Sequence, residues 1–118
     1  MKAGEQATLL RVYLGEKDRW KHGPLYEAIV RKARDLGVAG ATVLRGPMGF
    51  GASHALHTAK ILRLSLDLPV VIEIVDSEEI IQRLLEQLGE LLDGKLATTE
   101  PVTIVHSSSE RTDSQSPD

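Results

Sequence analysis

The segment Pro69-Val70-Val71-Ile72-Glu73-Ile74-Val75 constrains the fold more than any other part of the chain. Side chains on a strand alternate between faces, so Val70, Ile72 and Ile74 make one wholly apolar face, and Val71, Glu73 and Val75 make a mixed one. Such a strand has to be covered on both sides. A helical stripe follows at once: Ile80, Leu84, Leu88 and Leu91, widened by Ile81, Leu85 and Leu92. Asp76 is the expected N-cap, with Glu79 three residues on as its capping-box partner, and Asp93-Gly94 is the expected stop.

The same alternation of strand and helix occurs upstream. Thr8 to Leu14 reads as a strand with Leu10, Val12 and Leu14 on one face and Leu9, Arg11 and Tyr13 on the other. Gly15 to His22 is polar apart from Trp20 and reads as a loop. Gly23-Pro24 opens a helix with Pro at the first helical position. Leu25, Ile29, Ala33 and Leu36 form its apolar face, and Gly37 ends it. A short strand lies within Gly40 to Arg45, centred on Thr42, Val43 and Leu44. The glycines and proline of Gly46-Pro47-Met48-Gly49-Phe50-Gly51 break regular structure. Residues 52–68 read as a short helix, a mobile loop or a strand extension, and Val102 to Val105 as the last strand. The order is that of an α+β, ferredoxin-like βαββαβ sandwich with a long loop between the second and third strands. Residues 1–106 form one domain on this reading. Residues 107–118 contain no apolar side chain and are expected to be a disordered polar tail. Two helices cover one sheet face, so the half-apolar other face argues for oligomerisation.

Composition narrows the function. With 118 residues and a net charge of −3, the chain lacks the basic excess of a general nucleic-acid binder. An aromatic content of 3% disfavours a stacking platform for single strands. No cysteine is present, which excludes disulfides, thiolate chemistry and Cys-based zinc sites. No apolar run approaches the roughly 20 residues of a membrane span, and the N-terminus lacks an apolar signal core. The expected location is the cytoplasm, without membrane insertion.

Gly40-Ala41-Thr42-Val43, Gly49-Phe50-Gly51, Leu68 to Val75 and Asp93-Gly94-Lys95 resemble, in order and spacing, the PII signal-transduction proteins. Arg45-Gly46-Pro47-Met48-Gly49-Phe50-Gly51, with Ile61-Leu62-Arg63-Leu64-Ser65 and Leu68-Pro69, is similar to a PII-like family catalogued as a domain of unknown function, whose genes sometimes lie beside fluoride channels. The resemblance covers Ala7 to His106. It implies a homotrimer with its sheets facing a central axis. It also implies adenine nucleotides bound between subunits, and a long loop that reports energy and nitrogen status. It places Thr42 beside the adenine, Gly49 and Gly51 at the base of the mobile loop, Val75 in the base pocket and Lys95, in its Asp93-Gly94-Lys95 turn, on phosphate. The chain departs from PII in three ways. One extra residue separates Thr42 from Gly49-Phe50-Gly51. No tyrosine lies between Gly51 and Pro69, so the uridylylation site is absent. The paired arginines and Gly-Glu after the last strand are missing, with only Arg111 nearby, which puts AMP and ADP on the same footing as ATP.

The residues themselves admit two readings each. The glycine-rich turn is a tight turn or a nest of backbone N–H groups for an anion. Lys95 is a cation favoured at a helix C-terminus or a point charge on phosphate. Arg45 and Arg63 flank the loop as solvated side chains or as bidentate phosphate partners. Phe50 and Trp20 pack, or stack on adenine. His54 and His57, three apart, would share a helix face and could collect a divalent ion, as in a metal-responsive trimer of the CutA type; no nearby residue completes the set, and His22 and His106 are distant. No nucleophile elbow or Walker lysine is present, and Glu73 has no evident acid–base task. A slow nucleotide hydrolase would lack a base. The expected protein is a non-enzymatic regulator with no covalent cofactor. It binds AMP, ADP or ATP through Thr42, Arg45, Gly49, Phe50, Gly51, Val75, Gly94 and Lys95, and it signals to a transporter or channel through the Gly49 to Asp67 loop.

Overall fold

Long apolar strands are useful only when neighbours supply the ladder bonds, and the strands Gln6–Gly15 and Pro69–Asp76 supply them to each other. In chain order the elements are β1 (Gln6–Gly15), β2 (Arg19–Trp20), β3 (Gly23–Pro24), α1 (Leu25–Leu36), β4 (Ala41–Arg45), β5 (Met48–Gly49), β6 (His57–Thr58), β7 (Pro69–Asp76), α2 (Glu78–Leu88), a 3-10 turn (Gly89–Leu92) and β8 (Leu96–Thr103). The computed structural model describes residues 1–51, 56–58 and 67–107, with the backbone alone for residues 57 and 58. The main sheet has the order β4-β7-β1-β8, with every neighbouring pair antiparallel. Two-residue ladders, β2 with β3 and β5 with β6, sit outside it. The fold is therefore α+β and ferredoxin-like, βαββαβ, as the element order predicts.

The core lies between one sheet face and the two helices. Leu10, Val12 and Leu14 of β1 and Val70, Ile72 and Ile74 of β7 are buried with Leu25, Ile29 and Ala33 of α1 and Ile81, Leu84 and Leu88 of α2. Full burial of a Leu or Ile contributes about 1.5–3 kcal/mol, so this cluster outweighs any single polar contact in the chain. Gly37 ends α1 at φ 90° and donates to Ala33 and Arg34, a left-handed conformation that glycine adopts without a Cβ penalty.

Several boundaries differ from the sequence reading. Pro24 is extended and occupies the N-cap rather than the first helical position, because it also pairs with Arg19. Ser77, not Asp76, caps α2: its side chain accepts from the Ile80 N–H. Asp76 is fully buried instead, and its carboxylate accepts from the N–H groups of Ala39 and Ser77. The cap at Ser77 puts Ile80, not Glu79, three residues on, so the capping box is not formed by Glu79. The last strand is Leu96–Thr103, not 102–105; Val105 is 85% exposed. β8 pairs with β1 along its length, from Gln6↔Thr103 to Tyr13↔Leu96, and Pro101 is tolerated because β8 is an edge. Residues 15–22, expected as a plain loop, include β2. Within the stretch 52–68, His57–Thr58 pairs with Met48–Gly49. Ile61 to Ser65, Arg63, His54 and the tail from 108 lie outside the described residues.

Candidate functional site

The open face of the sheet follows from the register. Leu44, Val71, Tyr13 and Leu96 stand opposite one another in one row, and Thr42, Glu73, Arg11 and Thr98 in the next. Val75, Leu9 and Glu100 make a third. Arg11 is the centre of this face, 3.0 Å from Glu73 Oε2 and 2.8 Å from Glu100 Oε2. Its hydrogen bond to Glu73, then that to Glu100, raises the guanidinium pKa above its ordinary value. Thr42 and Val75, both expected at a base pocket, lie on this face; Thr42 stands opposite Glu73 and Val75 opposite Leu9.

At the Gly15 end of the sheet, a turn after β1 gathers the other candidates. Gly15 donates to Asp18 Oδ2 at 2.8 Å, and Asp18 N–H donates back to the Gly15 carbonyl at 3.1 Å. The same Asp18 oxygen is 2.7 Å from Lys95 Nζ, in a half-buried pair. Gly94, at φ 74°, supplies the left-handed residue that lets the chain turn from the 3-10 segment into β8 and point Lys95 at this turn. Glu16, two residues before Asp18, holds Arg45 at 2.6 Å.

The base of the loop is built against the same turn. Glu16 N–H donates to the Leu68 carbonyl, and Lys17 N–H to Asp67 Oδ1, both at 2.8 Å. Gly46 donates to the Pro69 carbonyl at 2.8 Å. A Cβ on Gly46 or Gly49 would stand 3.1 or 3.0 Å from Pro69 Cγ, so both glycines permit close approach of the loop to Pro69. Phe50 is 62% exposed and Gly51 is exposed.

The eight predicted residues thus fall in three places within one chain. Arg45, Gly49, Phe50 and Gly51 lie at the β4 edge, Gly94 and Lys95 at the β8 edge of the same end, and Thr42 and Val75 on the open face. With strands about 4.8 Å apart, Arg45 and Lys95 are separated by about 14 Å of sheet. A cavity of about 270 Å³ opens beside Lys95, lined also by Asp18, Trp20, Glu90, Leu91 and Asp93. A groove of about 330 Å³ between α1 and β4, with Tyr26, Val30, Arg31, Arg34 and Val43 on its walls, touches none of the predicted residues. Sequence reasoning missed Glu16, Asp18 and Asp67. The available signal was two acidic residues directly after a strand end that faces two candidate cations.

Known proteins share this architecture. Residues 7–104 match the family DUF190, described as Uncharacterized ACR, COG1993. The chain belongs to the DUF190 family. A UPF0166 protein of Aquifex aeolicus is 36% identical over 98 residues, 83% of this chain and 92% of that protein. Among solved structures, the fold is similar to that of CPII, a nitrogen regulatory PII-like protein from Thiomonas intermedia K12 bound to ADP, AMP and bicarbonate. The TM-score is 0.66 at 16% identity, covering 86% of this chain and 91% of CPII. It is also similar to a candidate PII-like signaling protein from Thermus thermophilus, with a TM-score of 0.62 at 19% identity, covering 87% of this chain and 93% of that one. This DUF190 chain therefore has a PII-like fold. Among its described residues, no group of three or more His, Cys, Asp or Glu side chains could hold a metal ion. His54 lies outside those residues, and His57 contributes its backbone to the pairing with Gly49. No helix among the described residues is long and apolar enough to cross a membrane.

Proposed function

We propose that this DUF190 protein is a non-enzymatic regulator that binds an adenine nucleotide between the subunits of a homotrimer. One observation carries the reading: the candidate residues are divided between the two edges of the sheet at one end. Within one chain Arg45 and Lys95 start from opposite edges of the sheet, and each is taken by a carboxylate of the turn 15–18. Two copies meeting edge to edge bring the glycine-rich loop base of one beside the Lys95 of the next. The open face supports the assembly. Its apolar rows flank the Arg11 cluster, so burying it removes Leu9, Tyr13, Val71 and Leu96 from water while the ion pairs fix the register.

In this site Lys95 and Arg45 provide the cationic partners for phosphate. Gly49 and Gly51 let backbone approach the ligand, Thr42 and Val75 border the base, and Phe50 and Gly94 shape the rim. The bound ADP and AMP of CPII favour AMP and ADP as ligands. The ligand is held without a covalent bond. Loop conformers that differ in nucleotide affinity would carry the signal to a protein partner, a transporter or channel among the classes that fit. Residues 1–106 act as the regulatory domain and 107–118 as its tail, in the cytoplasm.

Calorimetric titration of the purified protein with AMP, ADP and ATP tests the reading. Saturable binding of at least one is expected, and no binding of any at millimolar concentration would overturn it. Light scattering at micromolar protein should report three chains.

A further inference from the structure

We propose that the acidic turn 15–18 is a relay that couples the state of Lys95 to the base of the long loop. The turn has contacts on two sides. On one side Asp18 Oδ2 takes the Lys95 ammonium at 2.7 Å and the Gly15 N–H at 2.8 Å. On the other, Glu16 and Lys17 donate their N–H groups to Leu68 and Asp67, and the Glu16 carboxylate holds Arg45. Four residues therefore connect the β8 edge to both strands from which the loop emerges.

The turn has little freedom to move piecemeal. A Cβ on Gly15 would lie 2.9 Å from Asp67 Oδ1 and 3.2 Å from Asp67 Oδ2, so Asp67 is seated directly against the Gly15 backbone. The Asp18 carbonyl also accepts the Leu25 N–H at 2.7 Å, which anchors the far end of the turn to the start of α1. A carboxylate half-buried beside its cation is held in one geometry; when the cation leaves, the carboxylate gains by moving toward water. The described segment free to follow is the turn itself, and its N–H groups are the donors that fasten Asp67 and Leu68.

The relay rests on the proposed role of Lys95 for its physiological trigger: a ligand phosphate would take Lys95 from Asp18. A phosphate and the Asp18 carboxylate then compete for one ammonium, so Asp18 also lowers the affinity of the site. The coupling itself needs no nucleotide and is testable without one.

Hydrogen exchange of the Glu16, Lys17 and Gly46 amides, measured on the full chain in the absence of nucleotide, decides it. Lys95→Gln and Asp18→Asn should each speed exchange at these amides about fivefold to tenfold while the Val12 and Ile72 amides stay unchanged, as expected of a local opening. Asp67→Ala should abolish the further effect of Lys95→Gln at the Lys17 amide, because it removes the carboxylate to which that amide donates. Unchanged exchange in both Lys95→Gln and Asp18→Asn, or full additivity with Asp67→Ala at the Lys17 amide, would overturn the relay. If Lys95→Gln failed to fold, Asp18→Asn, which keeps an acceptor for Gly15, tests the same link. Failure of ADP to bind would overturn the nucleotide reading and leave these exchange results standing.

Discussion

Lys95 Nζ and Asp18 Oδ2 are 2.7 Å apart, although 77 residues of sequence separate them. The pair joins the turn after the first strand to the entry of the last, at the end of the sheet where the long loop begins. It makes Lys95 a residue already engaged by a carboxylate, so a ligand has to compete for it.

Lys95→Ala should weaken ADP binding about tenfold to hundredfold, the equivalent of a charge-assisted hydrogen bond of about 1.5–3 kcal/mol. Stability should fall by about 1 kcal/mol or less, since the pair remains partly solvated and Asp18 keeps its bond to Gly15. Titration with ADP at two salt concentrations, alongside thermal unfolding, separates the effects. A structural Lys95 would show the reverse: unchanged affinity and a lower Tm.

Gly15→Ala and Gly40→Ala form a matched pair. The added methyl at Gly15 would meet Asp67 Oδ1 at 2.9 Å, whereas nothing lies within 4 Å of a Cβ at Gly40. Gly15→Ala should cost about 1 kcal/mol by displacing the Asp67 carboxylate from its bond with the Lys17 N–H, and Gly40→Ala should be within about 0.5 kcal/mol of wild type. Urea unfolding of the two variants checks this; equal midpoints would show that the turn yields freely to Asp67.

Much of the fold is legible from local pattern. The two-sided apolar strand is β7, and Leu25, Ile29 and Ala33 of one predicted stripe and Leu84 and Leu88 of the other are buried on their helices, because burial on one side leaves a periodic trace; Leu36 and Ile80 are only partly buried, and Ile81 takes the core position beside Leu84. Local pattern misplaces β8 because Leu-Ala-Thr-Thr-Glu-Pro is an edge segment whose ladder depends on β1, and an exposed edge leaves no such trace. It also misassigns the cap of α2, because Asp76 and Ser77 are adjacent cap formers. The Ala39 N–H, brought in after the end of α1, draws the Asp76 carboxylate away from the cap position. The site is legible only in its cations and glycines. Glu16, Asp18 and Asp67 act through contacts more than 25 residues away in sequence, which no spacing rule reaches.

Arg11→Ala should impair assembly. It leaves Glu73 and Glu100 on the open face without their shared cation, and like charges buried between copies repel. Light scattering at micromolar concentration should report a smaller mass than wild type. The Arg11 pKa is raised. A raised group contributes fully below its unfolded pKa and loses that contribution only as pH climbs through the folded one, so this group gives wild-type assembly no pH dependence between about pH 5 and 9. An unchanged mass for Arg11→Ala would place the assembly contact on another face.

The most direct measurement is equilibrium binding of ADP to the wild-type protein, with stoichiometry and mass determined on the same sample. Saturable binding with one ADP per chain in a particle of three chains is predicted, because each site draws on the β4 edge of one copy and the β8 edge of the next. A monomer that binds ADP, or a trimer that binds neither AMP, ADP nor ATP at millimolar concentration, would contradict it.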